Sequence, residues 1–336
     1  MEVKIYSLKI LILGSGALGC QFGILLQRAG HKVTFIARGH QFTKLKNGLM
    51  INIPNSNKLS KYNIKVLDKP ELKEIYDLVI LSVKSKDTNK ILNDYKHLRN
   101  NTTKFLSFQN IMNKEEILAK YFGSKNVIGA VSNTGAFLKE YGIVIDSGTD
   151  NTFIGSYGKG MKKSIEYITN EFNKAGIKTQ VVKDIESVKW HKIISISSLG
   201  AISALTQIPT PQIYENKYCL ELIANVLSEG ISIMNKHGYK LKNYNGLELK
   251  QIYNRNISNM MQNIRKIRSY KYDENNLGSI MKPSMLQDIL NNKKTECEDI
   301  LGFLIKKADL KNIQIPNIKL VYLLIRGYEE KFDKQY

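Results

Sequence analysis

An α/β chain in two parts is what this sequence predicts, and three observations predict it. Short apolar runs alternate with helical stretches through the first half. The first run ends in a glycine turn, "GSGALG" at residues 14–19, directly before a helix. After Asp184 the strand-like runs stop and long helical periodicity takes over. Together they imply a Rossmann-type, doubly wound, mainly parallel sheet over residues 1–183, followed by an all-helical domain over 184–336.

Each element has its own signal. "KILIL" (9–13) is a strand, and an apolar helix runs from Cys20 to about Gly30. "KVTFIA" (32–37), "DLVILSV" (77–83), "KFLSF" (104–108) and "NVIGAV" (126–131) are further strands, with a helix from Lys86 to Leu98 between two of them. "GIVIDSG" (142–148) and "NTFIGSY" (151–157) read as late strands that could run antiparallel, before a helix over 162–175 and a last strand, "IKTQVV". The polar, asparagine- and tyrosine-rich segment from Lys242 to Lys282 reads as partly loop.

Composition narrows the class. A chain of 336 residues is too long for one ordinary core and suits two domains. Its 43% apolar content is that of a globular protein. Cys20, Cys219 and Cys297 are far apart and form no CxxC, which argues against a disulfide frame or a metal site and suits a reducing cytoplasm. The opening apolar run is too short for a signal-peptide core. Residues 193–214 carry no charge, but their serines and two prolines favour a buried helix over a membrane span, so no membrane segment is expected. The net charge of +20 comes mostly from lysine spread over the whole length. Its densest stretch, "RKIRSYKY" (265–272), follows apolar residues at helical spacing, so a solvated helix face explains it and no nucleic-acid partner is expected.

The glycine turn is the strongest chemical signal. Gly14 permits the tight turn, Gly16 lets a pyrophosphate approach the backbone, and Gly19 lets helix pack on strand. The turn as a whole, Gly14, Ser15, Gly16, Ala17, Leu18 and Gly19, is therefore a dinucleotide-binding candidate, with the helix N-terminus facing the phosphates. At the end of the second strand stands Arg38, where an NAD site would place a carboxylate. A cation there suits a 2′-phosphate, so NADP(H) is the expected cofactor; the ordinary alternative is a surface turn. Lys84 and Asn110 each follow a strand on the same rim, where open parallel sheets bind ligands.

In the second half, Lys192 is the last charge before Glu215, near the head of a long apolar helix. Such a lysine either packs its stem and leaves its head in water, or acts as a proton donor in an apolar pocket. Ser284 with Gln287 reads as a capping box, a position that also suits a carboxylate. Thr295 with Glu298 reads as a second box, which puts Glu296 in a first helical turn, available to substrate hydroxyls or to an ammonium. His191 adjoins Lys192 but points about 100° away on a helix, so it reads as a surface residue. No metal site is expected.

Taken in order, "GSGALG", "VTFIARG", "VKSKDT", "QN", "WHKI" and "PSMLQDILNNKKTE" resemble the ketopantoate reductase (2-dehydropantoate 2-reductase) family, from about Lys9 to the carboxyl terminus. The resemblance implies a fold like that of 6-phosphogluconate dehydrogenase, an active site in the cleft between the domains, and reduction of ketopantoate to pantoate for pantothenate synthesis. It implies that the glycines bind the NADPH pyrophosphate, that Arg38 binds the 2′-phosphate, and that Lys84 and Asn110 lie where cofactor and substrate meet. Lys192 resembles the family's catalytic lysine, Ser284 its substrate-carboxylate ligand and Glu296 its acidic partner. A homodimer is compatible with it. The chain departs from the family pattern where asparagines are usual, with Ile196, Gly200 and Met281 in their place, and the 242–282 segment is longer. Those departures suit a bulkier or less polar 2-oxo acid. A third possibility is a non-catalytic NADP(H)-binding or basic RNA-binding protein on the same fold.

Overall fold

A computed structural model describes residues 7–52, 58–148, 151–158, 161–268 and 281–332. The chain divides into two compact units. Residues 1–109 and 113–185 form the first, and residues 110–112 and 186–336 the second.

The first unit begins with β1 (Lys9–Leu13), α1 (Ala17–Arg28), β2 (Lys32–Ile36), α2 (Gly39–Leu45), β3 (Leu49–Asn52), β4 (Leu59–Tyr62), β5 (Lys65–Leu67) and β6 (Leu78–Leu81). It continues with α3 (Thr88–Asp94), β7 (Lys104–Ser107), α4 (Lys114–Phe122), β8 (Val127–Ser132), β9 (Ala136–Glu140), β10 (Ile143–Asp146), β11 (Thr152–Ser156), α5 (Lys162–Lys174) and β12 (Thr179–Val182). Eight strands form one sheet in the order β12-β11-β8-β7-β6-β1-β2-β5, every neighbouring pair parallel except β11 with β8. Strand alternation divides the core between the two faces. Ile10 and Ile12 join Phe22, Phe35 and Phe172 on one face, while Leu11 and Leu13 join Val79, Phe105 and Phe122 on the other. With both faces covered, the central strands read as unbroken apolar runs.

Several expectations need correction. The strand at 143–146 belongs to a second, four-stranded sheet in the order β4-β3-β10-β9, which packs against α1. These strands were hidden because they are only four or five residues long and carry polar residues, as in "LSKY" and "AFLKE". The helix expected over 86–98 is three pieces, α3 flanked by 3₁₀ turns at Ser85–Asp87 and Lys96–Leu98. Helix α1 starts at Ala17, three residues before Cys20, because Gly16 already serves as its N-cap.

The second unit consists of α6 (Ile185–Thr206), α7 (Thr210–Ile213), α8 (Lys217–Lys236), α9 (Leu249–Ile252), α10 (Ile257–Ile267), α11 (Ser284–Leu290), a π-helical turn at Glu298–Gly302 that runs into α12 (Phe303–Asp309), and α13 (Pro316–Glu329). Trp190 of α6 anchors the core, with ring contacts to His237, Tyr239 and Phe303 at 5.7, 5.6 and 5.4 Å. The segment read as partly loop contains α9 and α10; residues 269–280 lie outside the described residues. No helix among the described residues is long and apolar enough to cross a membrane.

Candidate functional site

In the first unit, the glycine turn lies at the carboxyl end of β1, with β6 and β2 on either side. Gly14 has φ +107°, and a side chain there would overlap Val83 and the Ser82 backbone. Ser82 Oγ donates to the Gly14 carbonyl at 2.7 Å, so the turn lies directly on the residues that precede Lys84. A side chain at Gly19 would overlap the Gly14 carbonyl oxygen, whereas one at Gly16 would meet open space. No side chain caps α1. The first amides of α1, at Ala17, Leu18 and Gly19, therefore lie beside the open space at Gly16, an arrangement that fits an anionic group.

Ser15 contributes differently from its glycine neighbours. It is buried, and its hydroxyl and its amide both donate to the Ile36 carbonyl, at 2.9 and 3.0 Å. Its side chain is thus spent on joining β1 to β2. Gln41 of α2, which has no motif to announce it, donates to the Ser15 carbonyl at 2.7 Å and accepts from the Gly142 amide at 3.0 Å, so it clamps the turn from above. Behind the turn, burial pushes the Cys20 thiol up to about 12, against the lowering effect of a hydrogen bond from Gln41.

Arg38 stands two residues past β2 in extended backbone and starts α2. The sequence offers no carboxylate beside it, but the structure does. Asp94, the last residue of α3, reaches Arg38 Nη2 with its Oδ2 at 2.6 Å. The two are 56 positions apart, so no local pattern joins them. Lys84 precedes the 3₁₀ turn after β6 and is half-buried. Gln109 fixes this edge by donating to the Val83 carbonyl at 2.9 Å and to Thr88 Oγ1 at 2.6 Å. Asn110 follows β7 by three residues, but it groups with Ile111 and Met112 in the second unit rather than with Lys84.

In the second unit, Lys192 is half-buried and lies two turns inside α6, which begins at Ile185, so it is not at the helix head. Lys192, Ile196 and Gly200 recur every four residues and share one face. At its far end this face meets the start of α11: a Cβ at Gly200 would lie 3.7 Å from Met285 Sδ and 4.0 Å from Pro283 Cβ. Ser284 sits between those two residues, and Met281 is tied in by the Thr210 amide, which donates to its carbonyl at 3.0 Å. The structure thus brings the Lys192 face and the Ser284 segment together.

Neither capping box closes, although the Thr295 hydroxyl does accept from the Cys297 amide at 3.1 Å. Pro283 occupies the N-cap of α11, Ser284 is the first helical residue, and no side chain caps this helix. Gln287 instead donates to the Lys282 carbonyl at 2.7 Å. Around Thr295, the amide and hydroxyl both donate to Glu329 of α13, while Glu298 pairs with Lys306 and accepts from Tyr322. Its two partners stand on α12 and α13, so Glu298 faces those helices and not Thr295. Glu296, half-buried, lies just before the π turn at Glu298–Gly302, a feature common where helices are adjusted around a site.

His191 is wholly buried, contrary to the surface position expected of it. Its Nδ1 lies 2.7 Å from the Ser187 carbonyl, and its Nε2 accepts from the Lys242 amide at 2.9 Å. Those partners require a neutral ring with its proton on Nδ1, and they fasten residue 242 to α6. Tyr244 packs edge-on against the ring at 5.0 Å.

With this geometry in hand, comparison with known proteins is specific. The family model described as "Ketopantoate reductase PanE/ApbA" matches residues 10–159, and its companion "Ketopantoate reductase PanE/ApbA C terminal" matches 184–329. A 2-dehydropantoate 2-reductase of Pyrococcus horikoshii is 34% identical over 96% of this chain and 98% of its own length. One from Archaeoglobus fulgidus is 29% identical over the same shares. Among solved structures, D-mandelate dehydrogenase in its ternary complex with NADH and anilino(oxo)acetate superposes with a TM-score of 0.82 at 20% identity, covering 97% of this chain and all of that one, a likeness of fold. The chain belongs to the ketopantoate reductase family and is an oxidoreductase that acts on a CH–OH group.

Proposed function

We propose that this protein reduces ketopantoate to pantoate, the reaction after which its archaeal relatives are named, and that it does so with NADPH. The observation that carries the reading is the face of α6 that starts at Lys192, continues through Ile196 and Gly200, and ends against Pro283 and Met285. It sets the Lys192 ammonium, the aliphatic Ile196 and the bare Gly200 along one helix face that meets the residues on either side of Ser284. The uncapped N-terminus of α1 and the open space at Gly16 fit the pyrophosphate of a pyridine nucleotide. Arg38, as a cation at the end of β2, supports NADPH over NADH.

When bound, the reduced nicotinamide supplies a hydride to the 2-keto carbon. The work of the chain's own residues is binding, orientation and proton transfer. The glycine turn from Gly14 to Gly19 holds the phosphates through backbone amides. Lys84 and Asn110 orient the reacting ends of cofactor and substrate. The Ser284 hydroxyl donates to the substrate carboxylate. Lys192 Nζ, with Glu296 as its acidic partner, stabilises the negative charge growing on the keto oxygen and then gives it a proton.

A second reading keeps this chemistry on a bulkier or less polar 2-oxo acid. It is favoured by the absence of a side chain at Gly200 and by the aliphatic Ile196 beside it, where hydrogen-bonding residues would suit a hydroxylated substrate. Both readings are tested by following NADPH absorbance with ketopantoate and with a panel of branched and aromatic 2-oxo acids. Fast turnover of ketopantoate supports the first, and turnover of another acid alone supports the second. In either case Lys192→Ala lowers kcat by about 10²- to 10⁴-fold while nucleotide binding persists. An unchanged kcat removes Lys192 from the mechanism.

A further inference from the structure

Arg38 is the cation on which the choice of cofactor rests, and the fold does not leave it alone. Its guanidinium is 2.6 Å from the Asp94 carboxylate, at the C-terminal end of α3 where the helix dipole also favours a cation. Strand pairing brings a second acid to the same edge. Ile36 is in register with Leu67, and the Ala37 amide donates to the Leu67 carbonyl at 3.0 Å, so Asp68 follows β5 where Arg38 follows β2. The buried ring of Tyr95, next in the chain after Asp94, is within electrostatic reach of Arg38, Asp94 and Asp68 together. The edge that would receive a 2′-phosphate therefore holds one arginine and two carboxylates.

A phosphate group carries a charge of about −1.5 to −2 near neutral pH. To reach Arg38 it must displace or share Asp94, and it must then lie beside the displaced carboxylate. A ribose 2′-hydroxyl meets neither obstacle. We propose that Asp94 is a cofactor-selectivity residue that opposes the 2′-phosphate, so that the preference for NADP(H) created by Arg38 is narrow and NAD(H) is also accepted. This rests on the pyridine-nucleotide reading above. It adds to that reading the residue that limits its selectivity.

The test is calorimetric titration of the full chain with NADP⁺ and with NAD⁺, which differ only by the 2′-phosphate. The readout is the ratio of the two dissociation constants, independent of turnover. The wild-type ratio is expected within about tenfold of unity, and Asp94→Asn raises the preference for NADP⁺ about two- to fivefold, as loss of one competing surface ion pair would. Arg38→Gln abolishes the preference, and Asp94→Asn adds nothing in that background, because the effect acts through Arg38. Both side chains are partly exposed, so the variants should fold, which circular dichroism checks. A ratio unchanged by Asp94→Asn, or a wild-type preference for NADP⁺ above about a hundredfold, overturns the assignment of Asp94. Failure of folded wild-type protein to bind either nucleotide overturns the cofactor reading instead.

Discussion

Gly16 and Gly19 stand three residues apart in one turn, yet the surroundings ask opposite things of them. At Gly19 a methyl group would overlap the Gly14 carbonyl oxygen and press on Ser82 Oγ and Ile12, so Gly19→Ala must move backbone. Overpacking of that kind costs about 1–3 kcal/mol. At Gly16 a methyl group meets nothing. Gly16→Ala is expected to leave stability within about 0.5 kcal/mol of wild type, as for a surface site, while weakening nucleotide binding about tenfold or more by occupying that open space. Urea denaturation and calorimetric titration of the two variants separate a packing glycine from a binding glycine. Arg38 and Asp94 make the complementary case, since the arginine is legible beside the motif and its partner is supplied from another helix.

At the level of elements, α11 shows how a motif can mislead. The pattern S-x-x-Q at Ser284 has the residues of a capping box, but Pro283 takes the N-cap with extended backbone (φ −54°, ψ 151°) and moves Ser284 one position into the helix. Its hydroxyl is consequently not used as a cap. Ser284→Ala should therefore cost less than about 0.5 kcal/mol, where loss of a true N-cap costs about 1 kcal/mol. If Ser284 binds the substrate carboxylate, the same variant raises KM for the 2-oxo acid severalfold and leaves nucleotide affinity unchanged. Thermal denaturation and steady-state kinetics read the two effects independently. The serines of α6 contrast with it. Ser195, Ser197 and Ser198 donate back to helix carbonyls, and this lets an apolar helix carry several hydroxyls with few aimed outward.

Across the molecule, stability is expected to depend on pH through His31. The ring lies between α1 and β2, accepts from the Leu8 amide at Nδ1 (3.2 Å), and faces Glu171 of α5 at 3.4 Å. Burial holds its pKa below the ordinary 6.5, outweighing the pull of Glu171 in the other direction. The unfolded chain therefore binds a proton more readily than the folded one. The stabilisation is full above about pH 6.5 and is lost as pH falls from there toward the lowered native value. Chemical denaturation at pH 7.5 and 5.5 is expected to show this loss, and His31→Gln to flatten it.

Much of this protein is written locally. The unbroken apolar runs of the parallel strands, the glycine turn before α1 and the change to helical periodicity after Asp184 follow from short-range sterics and from which faces must be buried, so the doubly wound sheet and the helical second half were legible. Lys192 and Ser284 were legible as candidates by resemblance, and the meeting of Gly200 on α6 with Pro283 and Met285 at the start of α11 emerged only in the folded chain. What depended on the folded chain was pairing between distant residues. The second sheet joins short, mixed strands that have no strong pattern of their own, Asp94 reaches Arg38 across 56 positions, Glu329 displaces Glu298 at Thr295, and His191 turns inward to hold the Lys242 amide. A polar side chain near a helix end has several partners of similar strength within reach, and the packing of whole elements decides which of them it meets.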